Sequence, residues 1–360
     1  FKQKTAYEIG VRLVGSEMCI RDSHWSEFSV TAKSVEFVDL PFNHPLYILY
    51  SSGTTGAPKC IVHGAGGSLL QHLKEHRLHV GLYPGDRFFY FTTCGWMMWN
   101  WLVSNLALGA TIVLYDGSPF HPDSSTMWQM AEEFGITVFG TSAKFIAACQ
   151  GYGVVPKDRY DLSLIKTILS TGSPLVEESF DYIYGSVKED VQLSSITGGT
   201  DIVSSFAGGN AMLPVYRGEI QCRALGMKVE SFDDTGKPVI NQKGELVCTR
   251  AFPSMPINFW NDPDGSKFHN AYFSDYPGVW THGDYILIND HGGVIVFGRS
   301  DATLNPAGVR IGTAEIYRVV EAFPEIEDSL AVGQQWEGDE RVILFVKMNE
   351  GKPVSYTHLT

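Results

Sequence analysis

"YILYSSGTTGAPKC" (residues 47–60) runs from a short apolar stretch into a loop of small residues closed by Pro58 and Lys59. The stretch up to Tyr50 reads as a strand. Serines, threonines and glycines then follow one another without a bulky side chain until Lys59. Backbone N–H groups and hydroxyls in such a loop can converge on anionic oxygens, and a lysine adds positive charge, so the stretch points to phosphate. The spacing is not that of the common phosphate loop, G-x-x-x-x-G-K-[ST]: here Gly53 and Gly56 precede Lys59, with a proline between. A flexible linker is the competing reading. The strand before the loop and the Pro-Lys after it weigh against that.

A strand feeding a phosphate loop belongs to α/β folds, and the neighbouring sequence agrees. Short apolar runs at residues 46–50, 87–92, 111–115, 136–140, 165–170 and 191–195 alternate with helix-like stretches. Met127, Met130, Ala131 and Phe134 keep helical spacing, and Leu69, Leu70, Leu73 and Val80 mark a second amphipathic helix. The alternation predicts a largely parallel sheet covered by helices. After Gly208 turn signals crowd together ("DDTGKP", "DPDG", "NDHGG") between strand-like runs at 244–248, 285–288 and 294–297, which predicts antiparallel structure. A last unit begins near Asp301, with a helix marked by Ile316, Val319, Val320 and Phe323 and strands at 329–332 and 341–347.

A length of 360 residues predicts roughly two domains. The hydrophobic content of 44% is enough for a sizeable core. A net charge of −13 argues against nucleic acid or an anionic membrane as the main partner, and no apolar run approaches the roughly 18 residues of a membrane span, so no membrane insertion is expected. The six cysteines lack paired or metal-like spacing and read as free thiols of a reducing cytosol. Residues 1–23 and 353–360 read as translated sequencing adapter and are set apart from the fold. That places an N-terminal domain at 24–300, its start missing, and a truncated small domain at 301–352.

Further motifs follow in order: "STGSPL" (170–175), "SITGGTD" (195–201), "WTHGDY" (280–285) and "VFGRSDATLNPAGVRIGTAEIY" (296–317). With the opening loop, this set resembles the acyl-adenylate-forming family of acyl-CoA synthetases, luciferases and peptide-synthetase adenylation domains. "GWMMWNWL", "GGTDI" and "THGDY" are similar to the motifs of the members that activate acetoacetate. The resemblance implies a large domain of parallel sheets, helices and a β-rich part, followed by a small α+β domain. It also implies a two-step reaction: a carboxylate attacks the α-phosphate of ATP, giving acyl-AMP and diphosphate, and the thiol of CoA then displaces AMP. A carboxylic acid is already ionised at neutral pH, so the first step needs no general base. The barrier is the meeting of two anions, which positioning, cations and N–H dipoles lower.

Carried over on matching positions, Ser52, Gly53, Thr54, Thr55, Gly56 and Lys59 would hold the β- and γ-phosphates. Gly172, Ser173 and Pro174 would pass the adenine, although the family often has an acidic residue where Ser173 stands. Thr200 would contact the α-phosphate. Asp201 takes the place of a glutamate that binds Mg²⁺. Asp284 would accept both ribose hydroxyls, supported by Arg299, and Arg310 would reach the phosphates. Asp301 falls on the hinge of the small domain, and Gly308 near the path of CoA. Taken singly, such aspartates are turn residues or caps and such arginines solvated. His282 reads as structural, and "HGAGGS" (63–68) as close helix packing.

Met97, Met98 and Gly198 match the acyl pocket. Acetyl- and propionyl-CoA synthetases carry a tryptophan where Gly198 stands, so the resemblance implies room for a longer acid. A four-carbon β-keto acid fits, and so do butyrate or a medium chain. Oligomeric state is not legible. The family's adenylation lysine follows a glycine late in the small domain, and neither "GKP" (236–238 or 351–353) matches it, so the chain as written is expected to be a poor ligase. A homologue that binds nucleotide without catalysis is the alternative from another class.

Overall fold

The computed structural model describes residues 34–51, 58–301, 303–309, 311–320, 323, 325–337 and 339–348, with Ser26 and Ser29. Residues 1–23 and 353–360, the loop at 52–56 and Arg310 lie outside the described residues. The chain divides into Phe1–Leu40 and Pro41–Thr360. Residues 34–40 of the first carry no regular structure, and among the described residues the sheets belong to the second.

The apolar run that opens the phosphate-loop motif is strand β1 (Pro45–Ser51). It pairs antiparallel with β2 (Lys59–Gly64), Ser51 opposite Lys59 and Tyr50 opposite Cys60. This departs from the parallel arrangement expected for that run. Its connection is too short for a parallel crossover, which needs a dozen residues or more. The strands on either side of the motif are therefore antiparallel partners.

The parallel sheet forms from the next five strands: β3 (Arg87–Tyr90), β4 (Thr111–Val113), β5 (Val138–Ser142), β6 (Thr167–Thr171) and β7 (Gln192–Ser195), in the order β4-β3-β5-β6-β7. All four pairings are parallel. Helices cover the sheet, so its central strands are buried on both faces and read as apolar runs. Helix Thr126–Glu133 places Met127, Met130 and Ala131 in the core as the spacing predicts, with Trp128 stacked on Phe139 at 4.7 Å. Phe134, at the helix's C-cap, is exposed.

The second amphipathic helix is present over Ala65–Lys74 and continues as a π-helical turn, Glu75–His79. Of the four residues that mark it, Val80 is buried and Leu73 half-buried, but Leu69 and Leu70 are exposed, and Gly67, Ser68, Gln71, His72, Glu75, His76 and His79 are buried instead. The polar groups are tolerated there because most of them find internal partners, Ser68 Oγ and His76 Nδ1 excepted. His72 Nε2 donates to the Val203 carbonyl at 2.6 Å, His76 Nε2 to that of Trp101 at 3.0 Å, and His79 Nδ1 to that of Gly209 at 2.6 Å. A Cβ at Gly67 would fall on the Pro253 carbonyl oxygen, the close helix packing read from "HGAGGS".

Two short strands, β8 (Thr197–Gly199) and β9 (Ser204–Gly208), form a hairpin that β10 (Cys222–Arg223) extends. The antiparallel region begins with β11 (Val229–Phe232), β12 (Pro238–Val239) and β13 (Lys243–Cys248). β14 (Asn258–Phe259) returns to flank β2. β15 (Trp280–Ile288) and β16 (Val294–Arg299) complete a sheet of order β12-β11-β13-β15-β16. Its core gathers Phe206, Phe252, Trp280 and Ile286. Beyond it lie helix Thr313–Val320 and a long hairpin, β19 (Ile326–Trp336) with β20 (Asp339–Met348), after the short pair β17 (Thr303–Leu304) and β18 (Ile311–Gly312). No helix among the described residues is long and apolar enough to cross a membrane.

Candidate active site

The segments leaving β6 and β7 at their carboxyl ends border a cavity of about 660 Å³, whose other walls come from β9, β15, β16 and the start of helix Met97–Ser104. Ligands of parallel α/β sheets bind outside strand carboxyl ends, so the topology and the cavity agree.

Asp284 and Arg299 both border it. They stand directly opposite each other on β15 and β16, and Arg299 Nη1 donates to Asp284 Oδ1 at 3.0 Å. The same guanidinium reaches Asp301 through Nε at 3.1 Å and pairs with it through Nη2 as well. Burial disfavours its charge, but Asp284 and Asp301 outweigh burial and hold its pKa above the ordinary arginine value. Asp284 is thus an oriented carboxylate on a cavity wall. Gly172, Ser173 and Pro174 border the same cavity, and Asn305 Nδ2 donates to the Gly172 carbonyl at 3.3 Å. Asp301 is held on Arg299, and Gly308 ends the single 3₁₀ turn Pro306–Gly308.

Thr200 lines the cavity, whereas Lys59 and Asp201 are not among its walls. Lys59, first residue of β2, forms an ion pair with the buried Asp201. Tyr272 donates to Asp201 Oδ1 at 2.6 Å and stacks on Trp280 at 3.7 Å, and the Lys59 ammonium lies 4.8 Å from the Tyr272 ring centroid. His63 Nε2 donates to the Thr200 carbonyl at 3.0 Å. Burial pushes the pKa of His63 down to about 4 despite that bond, so it is neutral at physiological pH. Among the described residues no group of three or more His, Cys, Asp or Glu is placed to hold a metal. Mg²⁺ usually takes only one or two protein carboxylates plus substrate phosphates; Asp201 offers one carboxylate of that type, which here is buried, paired with Lys59 and set behind the cavity wall beside Thr200.

The same cavity is bordered by Met97, Met98, Trp96 and Trp101, and by Gly198. The reading of Gly198 as vacated space needs one addition. A Cβ there would fall on the Ser204 carbonyl oxygen and 2.7 Å from Ser205 Cα. The volume beside Gly198 is filled by β9 backbone, so the glycine sets the closeness of the β8–β9 hairpin and does not by itself open the pocket.

Several residues of the site carry no sequence signal. Glu75, Ser204 and Ser205 line the cavity although no motif contains them. Glu245 Oε1 accepts the Gly283 N–H at 2.9 Å beneath Asp284, and burial raises its pKa. Asn305 lies inside a quoted motif, whose pattern gives no sign of its bond to Gly172.

The sequence profile of the family described as AMP-binding enzyme matches residues 8–253. The acetoacetyl-coenzyme A synthetase of Rhizobium meliloti (strain 1021) is 61% identical over 315 residues, covering 88% of this chain and 48% of that protein. The acetoacetyl-CoA synthetase of Danio rerio is 57% identical, covering 89% and 48%. The solved acetoacetyl-CoA synthetase from Streptomyces lividans superposes with a TM-score of 0.75 at 47% identity, covering 92% of this chain and 51% of its own. The chain spans about half the length of the curated relatives it matches.

Proposed function

The chain belongs to the AMP-binding enzyme family, and from that premise we propose that it activates acetoacetate with ATP and transfers the acetoacetyl group to CoA. The observation that carries the proposal is the cavity itself, which joins an oriented Asp284–Arg299 pair to a pocket containing Met97 and Met98. The likeness to acetoacetyl-CoA synthetases over most of the chain supports the choice of acid.

Asp284 accepts the ribose hydroxyls, with Arg299 fixing its orientation, and the backbone of Gly172, Ser173 and Pro174 borders the adenine. Thr200 meets the α-phosphate. Lys59 exchanges Asp201 for the β- and γ-phosphates, aided by the loop at 52–56 and by Arg310. Asp201 is the residue that would hold Mg²⁺, which when bound neutralises phosphate charge. No side chain need act as a base, because the attacking carboxylate is ionised. The protein's work is to align two anions and offset their repulsion. Division at the Asp301 hinge, with 301–352 as the small domain and Gly308 near the CoA path, belongs to the same proposal, as does a cytosolic location.

Acetoacetate-dependent exchange of pyrophosphate into ATP, and AMP release on adding CoA, test the proposal on the full-length protein. Acetoacetate is expected to exceed butyrate and hexanoate in kcat/KM. A protein that binds AMP yet exchanges pyrophosphate with none of the three acids is a nucleotide-binding module, and the proposal fails.

A further inference from the structure

Glu75 borders the cavity together with Met97, Met98 and Gly198, and the adenylation chemistry makes no use of it. It projects from the π-helical turn and is 2% exposed, yet it shares the cavity wall with Trp101, Ser204 and Ser205. Its Oε2 accepts the Trp101 indole N–H at 2.8 Å. Its Oε1 accepts the Ser205 N–H at 3.1 Å, the Ser205 hydroxyl at 3.0 Å and the Ser204 hydroxyl. With Gln71 Nε2 at 3.5 Å and Lys74 Nζ at 3.4 Å from Oε1, six donors converge on the two oxygens, which suits an anion, because a protonated acid would turn one oxygen into a donor facing donors. Burial works to raise the pKa, but Lys74 and these bonds prevail and hold it below the ordinary carboxylate value. Lys74 Nζ lies 3.4 Å from Oε1 but is not a cavity wall, so of the two charges only the carboxylate's residue borders the cavity. His72, His76 and His79 on the same helix are each driven toward the neutral form by burial.

We propose, resting on the adenylation reading, that Glu75 sets acyl specificity by charge, admitting a short acid with a neutral tail and excluding one with a second carboxylate. Acetoacetate, malonamate and malonate make the case sharp. Their tails end in methyl, amide and carboxylate on nearly the same frame, so size cannot separate them. Only malonate brings a second negative charge to Glu75, where little water screens the repulsion.

The test is calorimetric binding of sulfamoyl-adenosine analogues carrying acetoacetyl, malonamoyl and malonyl groups. In the unaltered protein the acetoacetyl and malonamoyl analogues are expected within about tenfold of each other, and the malonyl analogue at least roughly 30-fold weaker. Glu75→Gln should reduce the malonyl penalty below about fivefold, and Glu75→Asp, which keeps the charge, should retain it. A purely structural Glu75 would weaken all three analogues alike and preserve their ratios in Glu75→Gln. Equal binding of malonyl and acetoacetyl analogues by the unaltered protein overturns the proposal whether or not a variant folds, while leaving the adenylation reading intact. Binding of none of the analogues overturns both.

Discussion

Asp284→Asn tests the nucleotide end with little change of shape. The amide oxygen can still accept from Arg299 Nη1, now 3.0 Å from Oδ1, so the ion pair becomes an ordinary hydrogen bond. Arg299 keeps its bonds to Asp301. The difference between a charge-assisted and a neutral bond puts the stability loss at about 1 kcal/mol. For a chain of this length that is a Tm change of about 1 °C. The ligand should suffer more. A carboxylate accepts from both ribose hydroxyls, whereas Asn offers one acceptor and turns an N–H toward the other. Losing one charge-assisted bond and weakening the second costs about 2–4 kcal/mol, or roughly 30- to 1,000-fold in AMP affinity. Titration calorimetry with AMP, paired with a thermal melt, separates the two effects. AMP affinity within threefold of the parent in a well-folded variant would refute the assignment of Asp284 to the ribose.

Lys59→Met removes the Lys59 ammonium from the buried Asp201 and should cost about 3–5 kcal/mol in chemical denaturation. Adding Asp201→Asn should recover at least half of that, and no recovery would mean the pair is not what the substitution broke. Gly198→Ala places its Cβ against β9 backbone and should cost about 1–3 kcal/mol by overpacking; an unchanged midpoint would show that the hairpin is looser than described. His63 has a folded pKa of about 4 against an ordinary value of 6.5. The unfolded chain therefore binds the extra proton between those values. The stability involved is fully present above pH 6.5 and is lost as pH falls to about 4, by up to about 3 kcal/mol. His76, pushed to about 3, extends the loss to lower pH. Urea midpoints across this window should fall with acid, less steeply in His63→Gln, and identical slopes would contradict the assignment.

What the sequence determined by itself was the alternation of strand and helix from β3 to β7, the antiparallel character after Gly208, and the order of motifs carrying Asp284, Arg299 and Thr200. These are local signals, since a parallel strand buried on both faces must be an apolar run and a tight turn needs its glycines and aspartates. Tertiary structure decided the rest. The run before the phosphate loop looks like any other strand, and only its pairing with β2 makes it antiparallel. Gly198 reads as space until β9 is seen to fill that space. The helix Ala65–Lys74 with its π-helical turn shows the physical reason most clearly. Hydrophobic periodicity assumes that water is the only partner for polar side chains. Here Trp101, Val203, Ser204, Ser205 and Gly209, all distant in sequence, supply hydrogen bonds that let Glu75 and three histidines turn inward while Leu69 and Leu70 face out.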